Sequence, residues 1–218
     1  MPFATRHRDD ATPSLSSVEG MTVRRELDAG VMASLQNRSV EEMSRRFADS
    51  HRAYVALIGG QAAAWGWVAT STADIGELGA HLTLHSDERY LWNFVTLPAY
   101  RGLGIYPRLL QAIVREESTD AARFWIGYAP ENHASGVGIR KAGFVTAVEM
   151  SFEASGKAAL RAERPAEAKA ASRVLGLPIT SEPLSPCWRC VRAGRPGMSC
   201  AAGSCRCDYQ QPKSGCAA

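Results

Sequence analysis

A chain of 218 residues with 25 Lys and Arg against 22 Asp and Glu, formal net charge +3, has room for one substantial α/β domain and a small appendage. That slight excess falls far short of the basic balance of nucleic-acid binders, and no uninterrupted apolar run reaches membrane-spanning length. Residues 1–19 are polar and lack an apolar core of signal-peptide length, so the sequence predicts a cytoplasmic protein with no nucleic-acid or membrane partner.

After this polar leader, residues 21–27 alternate weakly and predict a strand. Residues 31–35 and 40–47 carry apolar positions at helical spacing, the second run behind Ser39 as an N-cap. Residues 53–58 and 61–70 are apolar and β-rich, and Gly59-Gly60 between them permits the positive φ values of a tight hairpin turn. A further strand is expected over 81–85. Residues 89–97 (RYLWNFVTL) are aromatic and β-branched until Pro98 ends their capacity to extend a ladder.

From Leu103 onward Ile105, Leu109, Leu110, Ile113 and Val114 recur at helical spacing, with Pro107 tolerable because it falls in the first turn. Residues 124–128 predict a short buried strand, 132–141 a helix stopped by Gly143, and 144–152 a strand that returns through Ala154-Ser155-Gly156 to 158–162. Residues 166–175 are alanine-rich and helix-prone, after which Pro178, Pro183 and Pro186 lead into the cysteines. The division expected is a leader over 1–19, an α/β domain over 20–164 and a C-terminal extension over 165–218, with its cysteine-rich part at 187–216.

Arg101-Gly102-Leu103-Gly104 stands between a strand and a helix. Backbone N–H groups and the positive end of the helix dipole converge there, so an anion such as a pyrophosphate is stabilised. Glycine admits phosphate oxygens that a Cβ would block, and Arg101 adds a charged donor. A plain tight turn accounts equally well for two glycines between a strand and a helix.

The wider segment, Thr96-Leu97-Pro98-Ala99-Tyr100-Arg101-Gly102-Leu103-Gly104-Ile105, closely resembles the acyl-CoA-binding motif of the GNAT superfamily of N-acyltransferases. A second piece, NHASGVGIRKAGF with Asn132, Ser135, Lys141, Gly143 and Phe144, resembles that family's asparagine-led helix ending in Lys-x-Gly-Phe. The resemblance spans about residues 20–163. It implies a mixed, mostly antiparallel central sheet flanked by helices, with a small irregular cysteine-rich extension beyond it.

The resemblance also implies acetyl-CoA or another acyl-CoA as donor. Arg101, Gly102, Leu103, Gly104, Ile105 and Tyr106 would hold its pyrophosphate, Val95, Thr96 and Leu97 its pantetheine arm, and Asn132 the region near the thiolate. Tyr106 departs from the motif, which has Gly or Ala there. Ile139 stands where many members carry a tyrosine that protonates the leaving thiolate, which leaves Ser135 or water to supply that proton.

Residues two apart on a strand share a face. By that rule Glu88, Tyr90, Trp92, Phe94 and Thr96 point one way, and Arg89, Leu91, Asn93, Val95 and Leu97 the other. Tyr90 falls where some relatives carry a catalytic carboxylate, and Glu88 lies one pleat repeat away, so either is a candidate to order a proton-relaying water. A core tyrosine and a solvated strand-end glutamate are the plainer alternative. Of the five histidines, only His133, beside Asn132, is worth testing as a catalyst.

All six cysteines lie at or after Cys187. Cys187 and Cys190 form a C-x-x-C step, and Cys200, Cys205 or Cys207 can complete a four-sulfur shell, for which zinc is the first candidate. The second half is not a repeated C-x-x-C, so an iron–sulfur cluster, redox thiols and disulfides stay open. The sequence thus predicts transfer of an acetyl or other short acyl group from CoA to a primary amine of a small molecule or protein. The alternative is a catalytically weak CoA-binding sensor or adaptor with a metal- or thiol-responsive tail; homodimerisation is left open.

Overall fold

The computed structural model describes residues 1–76 and 78–185. Its first strand, β1 (Pro2–His7), is followed by β2 (Met21–Glu26), α1 (Ala29–Gln36), α2 (Val40–Ala48), β3 (His51–Ile58) and β4 (Gln61–Ala69). A short hairpin of β5 (Thr72–Ile75) and β6 (Ala80–Thr83) then leads to β7 (Glu88–Thr96), a single 3-10 turn (Pro98–Tyr100) and α3 (Ile105–Glu117). The remaining elements are β8 (Arg123–Gly127), α4 (His133–Lys141), β9 (Val145–Phe152), β10 (Ala158–Ala162) and α5 (Pro165–Leu175).

Eight strands form one sheet in the order β10-β9-β1-β8-β7-β4-β3-β2, antiparallel except for the β7–β8 pair. The fold class is therefore mixed α/β with a mostly antiparallel central sheet flanked by helices. Alternating residues divide the core between the two faces. Ala4, Val68, Leu91 and Ile126 pack under α3 and α4, while Phe3, Ala69, Tyr90 and Trp125 pack under α5 and the β5–β6 hairpin. Trp65 and Trp67 join the latter face beneath α1 and α2.

Local signals explain these elements. The Ser39 hydroxyl accepts from Glu42 N at 3.1 Å and starts α2, and Asp28 caps α1 in the same way. Gly59 and Gly60 turn the β3–β4 hairpin at φ 54 and 83.

The expectation of a polar leader over residues 1–19 is corrected over its first part, because Pro2–His7 is β1 and lies between β8 and β9. The polar residues that hid this strand find partners inside the fold. Thr5 Oγ1 donates to Phe124 O at 3.1 Å, and Arg6 Nη1 donates to Ala142 O at 2.6 Å. Helix α5, expected in a separate extension, also belongs to the core. It buries Ala168, Ala171, Val174 and Leu175, and Arg173 Nη2 donates to both oxygens of Glu88 at 2.6 Å.

Two irregularities in β7 shape what lies at its end. Its ladder with β8 runs from Glu88↔Arg123 to Leu91↔Ile126, after which the two strands part. Against β4, Trp65 faces Val95 and Trp67 faces Trp92, so Asn93 and Phe94 together stand opposite Gly66. That is a bulge, with Asn93 at φ 51. The extra residue reverses the alternation. Phe94 packs on the α3–α4 face and Val95 on the α1–α2 face, which corrects the expectation that Phe94 shares a face with Glu88, Tyr90 and Trp92. Gly66 makes room for the turned ring, since a Cβ there would lie 2.0 Å from Phe94 Cε1.

At the far end of α3 the buried Glu117 collects three donors: Tyr54 Oη at 2.6 Å, Arg52 Nη1 at 2.6 Å and Arg89 Nε at 2.8 Å. These contacts hold its carboxyl below the usual range despite burial, and burial with the adjacent carboxylate pushes the Tyr54 phenol well up.

Candidate functional site

Where β7 leaves the sheet, the chain makes its 3-10 turn, runs extended through Arg101 and starts α3 over two glycines, Gly102 at φ 80 and Gly104 at φ 70. Gly104 is the N-cap of α3, and no side chain caps that end. The N–H groups of Ile105 and Tyr106 are therefore not satisfied by a capping side chain, and Pro107 has none to offer. Arg101 Nε donates to Thr96 O at 3.1 Å, which folds the guanidinium back over the end of β7.

Between this turn, the end of β7 and α4 lies a cavity of about 950 Å³. Val95, Thr96, Arg101, Gly102, Leu103, Gly104, Ile105, Tyr106, Asn132 and Ser135 all line it. Its charged lining residues are Arg101, Arg108 and Lys141, with no carboxylate, and none of the three is ion-paired among the described residues. A cavity so lined favours a ligand of multiple negative charge.

Asn132 caps α4, its Oδ1 accepting from Ser135 N at 3.0 Å. The Ser135 hydroxyl meets Tyr106 Oη at 3.2 Å, so the pair links the starts of α3 and α4. Tyr106 is held on two further sides. Its ring centroid lies 5.5 Å from that of Phe94, and a Cβ on Gly138 would come 2.4 Å from Tyr106 Cδ1. Burial raises its phenol to about 12, so it keeps its proton throughout the physiological range.

Three of the residues predicted from sequence lie elsewhere. Leu97 packs toward α1 and α2. Tyr90 is buried on the opposite face among Phe3 and Trp125. Glu88 is buried at the start of β7, where it accepts from Arg173, from Trp125 Nε1 at 3.2 Å and from His85 N at 3.0 Å. The structure thus brings Ser135 to the cavity and leaves Glu88 and Tyr90 away from it.

Sequence reasoning missed the contribution of Phe94, turned in by the bulge, and of the segment Ser14, Leu15 and Ser16, which forms one wall. Arg108 was also missed, although its place one helical turn after Gly104 is a signal in itself.

On the opposite face a second cavity of about 510 Å³, lined by Arg46, Asp49, His51, Asp74 and Trp92 among others, touches β7 just before the bulge. His51 stands edge-on to Trp92 at 5.2 Å between centroids, and burial lowers its pKa below the ordinary value. The tetrathiolate expected of Cys187, Cys190, Cys200, Cys205 and Cys207 lies outside the described residues. Among the described residues no group of three His, Cys, Asp or Glu can hold a metal ion, and no helix is long and apolar enough to cross a membrane.

No protein-family model and no curated protein matches this chain. Solved structures similar to it include an acetyltransferase of the GNAT family from Streptococcus pneumoniae, with 16% identity over 60% of this chain and 88% of that chain, TM-score 0.44. Another is the aminoglycoside antibiotic 6'-N-acetyltransferase from Acinetobacter haemolyticus, with 22% identity over 57% of this chain and 90% of that one, TM-score 0.43. A third is an acetyltransferase from the GNAT family from Colwellia psychrerythraea, with 13% identity over 67% of this chain and 52% of that one, TM-score 0.47.

Proposed function

We propose that this chain is an acyl-CoA-dependent N-acyltransferase that moves an acetyl or other short acyl group from CoA to a primary amine of a small molecule or protein. The observation that carries the proposal is the cavity: a glycine-opened helix start and three cations with no carboxylate, continuous with the end of β7 that β8 leaves unpaired. A pyrophosphate fits the first part, where the N–H groups of Ile105 and Tyr106 and the Arg101 guanidinium supply donors. An extended arm with amide groups fits the second, because the β8-side edge of β7 beyond Leu91 is open to strand-like pairing.

In this reading the acyl carbon lies near the bulge at Asn93, and the amine arrives from the side of β7 that carries Trp92. Attack forms the N–C bond, the tetrahedral oxyanion collapses, and the C–S bond breaks. The amine must be neutral to attack, so its proton passes to water or to a base on that face, and the departing thiolate takes one from the Ser135 hydroxyl. Tyr106, held in its protonated form against Ser135, orients that hydroxyl, and the serine recovers its proton from the solvent that takes up the one lost by the amine. Glu88, with its carboxylate engaged by Arg173, Trp125 and a backbone N–H, is assigned to anchoring α5.

Ile139 favours a second reading, a CoA-binding protein without transfer, because it is buried in the core and places no acid in the cavity. Thiol release from acetyl-CoA against a panel of amines separates the two. Amine-dependent release with a matching mass gain on the acceptor supports the transferase, and saturable CoA binding with no release on any acceptor supports the sensor.

A further inference from the structure

Residues 8–20 run between β1 and β2 as a strap across the ends of the helices that enclose the cavity. Pro13 packs against Gly143, just beyond α4, where a Cβ would meet it at 2.9 Å. Gln111 Nε2 on α3 donates to Pro13 O at 2.9 Å. The strap then meets Arg108, whose Nε donates to Ser16 O at 2.7 Å, whose Nη2 donates to the same oxygen, and whose Nη2 also lies 3.2 Å from Ser16 Oγ. Side chains on a helix lean toward its N-terminus, and Arg108 Nη1 accordingly reaches Gly104 O at 2.5 Å. One guanidinium therefore spans the gap between the phosphate-type turn and the strap.

The charges in the cavity exceed what a pyrophosphate requires. The α3 start and Arg101 answer its two charges. Arg108 and Lys141 remain, each lining the cavity and each without a carboxylate partner among the described residues, together with the hydroxyls of Ser14 and Ser16. Arg108 has so far bonded only to neutral oxygens, two backbone carbonyls and a hydroxyl, and its Nη1 keeps an N–H to offer. Two spare cations with two hydroxyls one guanidinium away from the pyrophosphate turn make a receptor for a second dianion.

We infer that Arg108, Lys141 and the strap serines Ser14 and Ser16 form a second phosphate subsite, which takes the 3′-phosphomonoester of CoA, and that the chain thereby discriminates CoA from its 3′-dephospho form. The inference rests on the CoA reading proposed above. A phosphomonoester carries about −1.5 to −2 charges at neutral pH, which matches two cations. The strap is then part of the binding site rather than a connection, and ligand affinity depends on how residues 13–16 are held.

The test is calorimetric titration of the full chain with CoA and with 3′-dephospho-CoA. CoA is expected to bind about tenfold more tightly or better, the factor equivalent to one charge-assisted contact. Arg108→Gln and Lys141→Gln are each expected to shrink that ratio by weakening CoA while leaving dephospho-CoA affinity in place. Lys141 is exposed, so its substitution reports on the subsite without disturbing the strap. A ratio near one in the unsubstituted protein, or a ratio that survives both substitutions, overturns the subsite and leaves the pyrophosphate turn standing. If Arg108→Gln weakens both ligands alike and Lys141→Gln changes neither, Arg108 merely fastens the strap and the subsite is refuted. Failure of both ligands to bind overturns the CoA reading and the subsite with it.

Discussion

Gly104→Ala adds one methyl group at a residue with φ 70, where that methyl lies 2.4 Å from Arg108 Nη1. Holding an alanine in the left-handed region costs about 1 kcal/mol. Displacing the guanidinium from Gly104 O costs about 1 kcal/mol more for a half-exposed charged hydrogen bond. A loss of about 2 kcal/mol lowers the Tm of a chain this long by roughly 4–8 °C. The same methyl occupies the approach of phosphate oxygens to the start of α3, so CoA affinity is expected to fall about tenfold or more beyond any effect of stability.

Gly176→Ala is the matched control. Gly176 has φ 61 and closes α5 with open space around its would-be Cβ, so the backbone strain is similar and the cavity is untouched. Thermal unfolding and CoA titration of both variants separate strain from recognition. If Gly104→Ala loses stability but binds CoA as tightly as the control, the phosphates do not sit at this turn and the reasoning fails.

Glu117→Gln removes the charge that Arg52 and Arg89 share and is expected to cost about 3 kcal/mol in denaturant unfolding, because two cations are left without it in a buried site; a loss below about 1 kcal/mol contradicts this. Since the Glu117 carboxyl is held below its usual range, its contribution is complete above its unfolded pKa and is lost as pH falls through the folded one, so the variant flattens the acid side of the stability profile. His51 is also depressed, by burial, and the neutral ring is the form the fold accepts; stability falls as pH drops below the unfolded value of about 6.5, and a slope unchanged in His51→Gln refutes this. Arg173→Met leaves the buried Glu88 without its cation and is expected to cost roughly 1–2 kcal/mol while kcat stays in place; a large drop in kcat at full folding would return Glu88 to the chemistry.

Much of this fold was legible because its signals are local. The Ser39 cap, the Gly59-Gly60 turn and the apolar spacing of α3 each determine their element with little help from the rest of the chain. Strand β1 was hidden because Thr5 and Arg6 look solvated until their partners, Phe124 O and Ala142 O, arrive from more than a hundred residues away. The bulge was equally invisible. Nothing in RYLWNFVTL announces that Asn93 takes φ 51, and without it a period of two assigns Phe94 to the wrong face.

The candidate site followed the same division. The turn at Arg101 to Tyr106 and the cap at Asn132 are contiguous motifs and could be located from sequence alone. Arg108 and the strap serines became neighbours only through the path of residues 8–20, and Glu88 starts β7 whereas the cavity lies at its other end, with Arg173, the cation that engages Glu88, far along the chain.

The most direct test is a crystal structure of the full chain with CoA. The account predicts the pyrophosphate within hydrogen-bonding distance of Ile105 N and Tyr106 N, with the pantetheine arm running along Val95 and Thr96 toward the bulge at Asn93. CoA bound elsewhere on the protein, with this cavity open to solvent at saturating ligand, would contradict it.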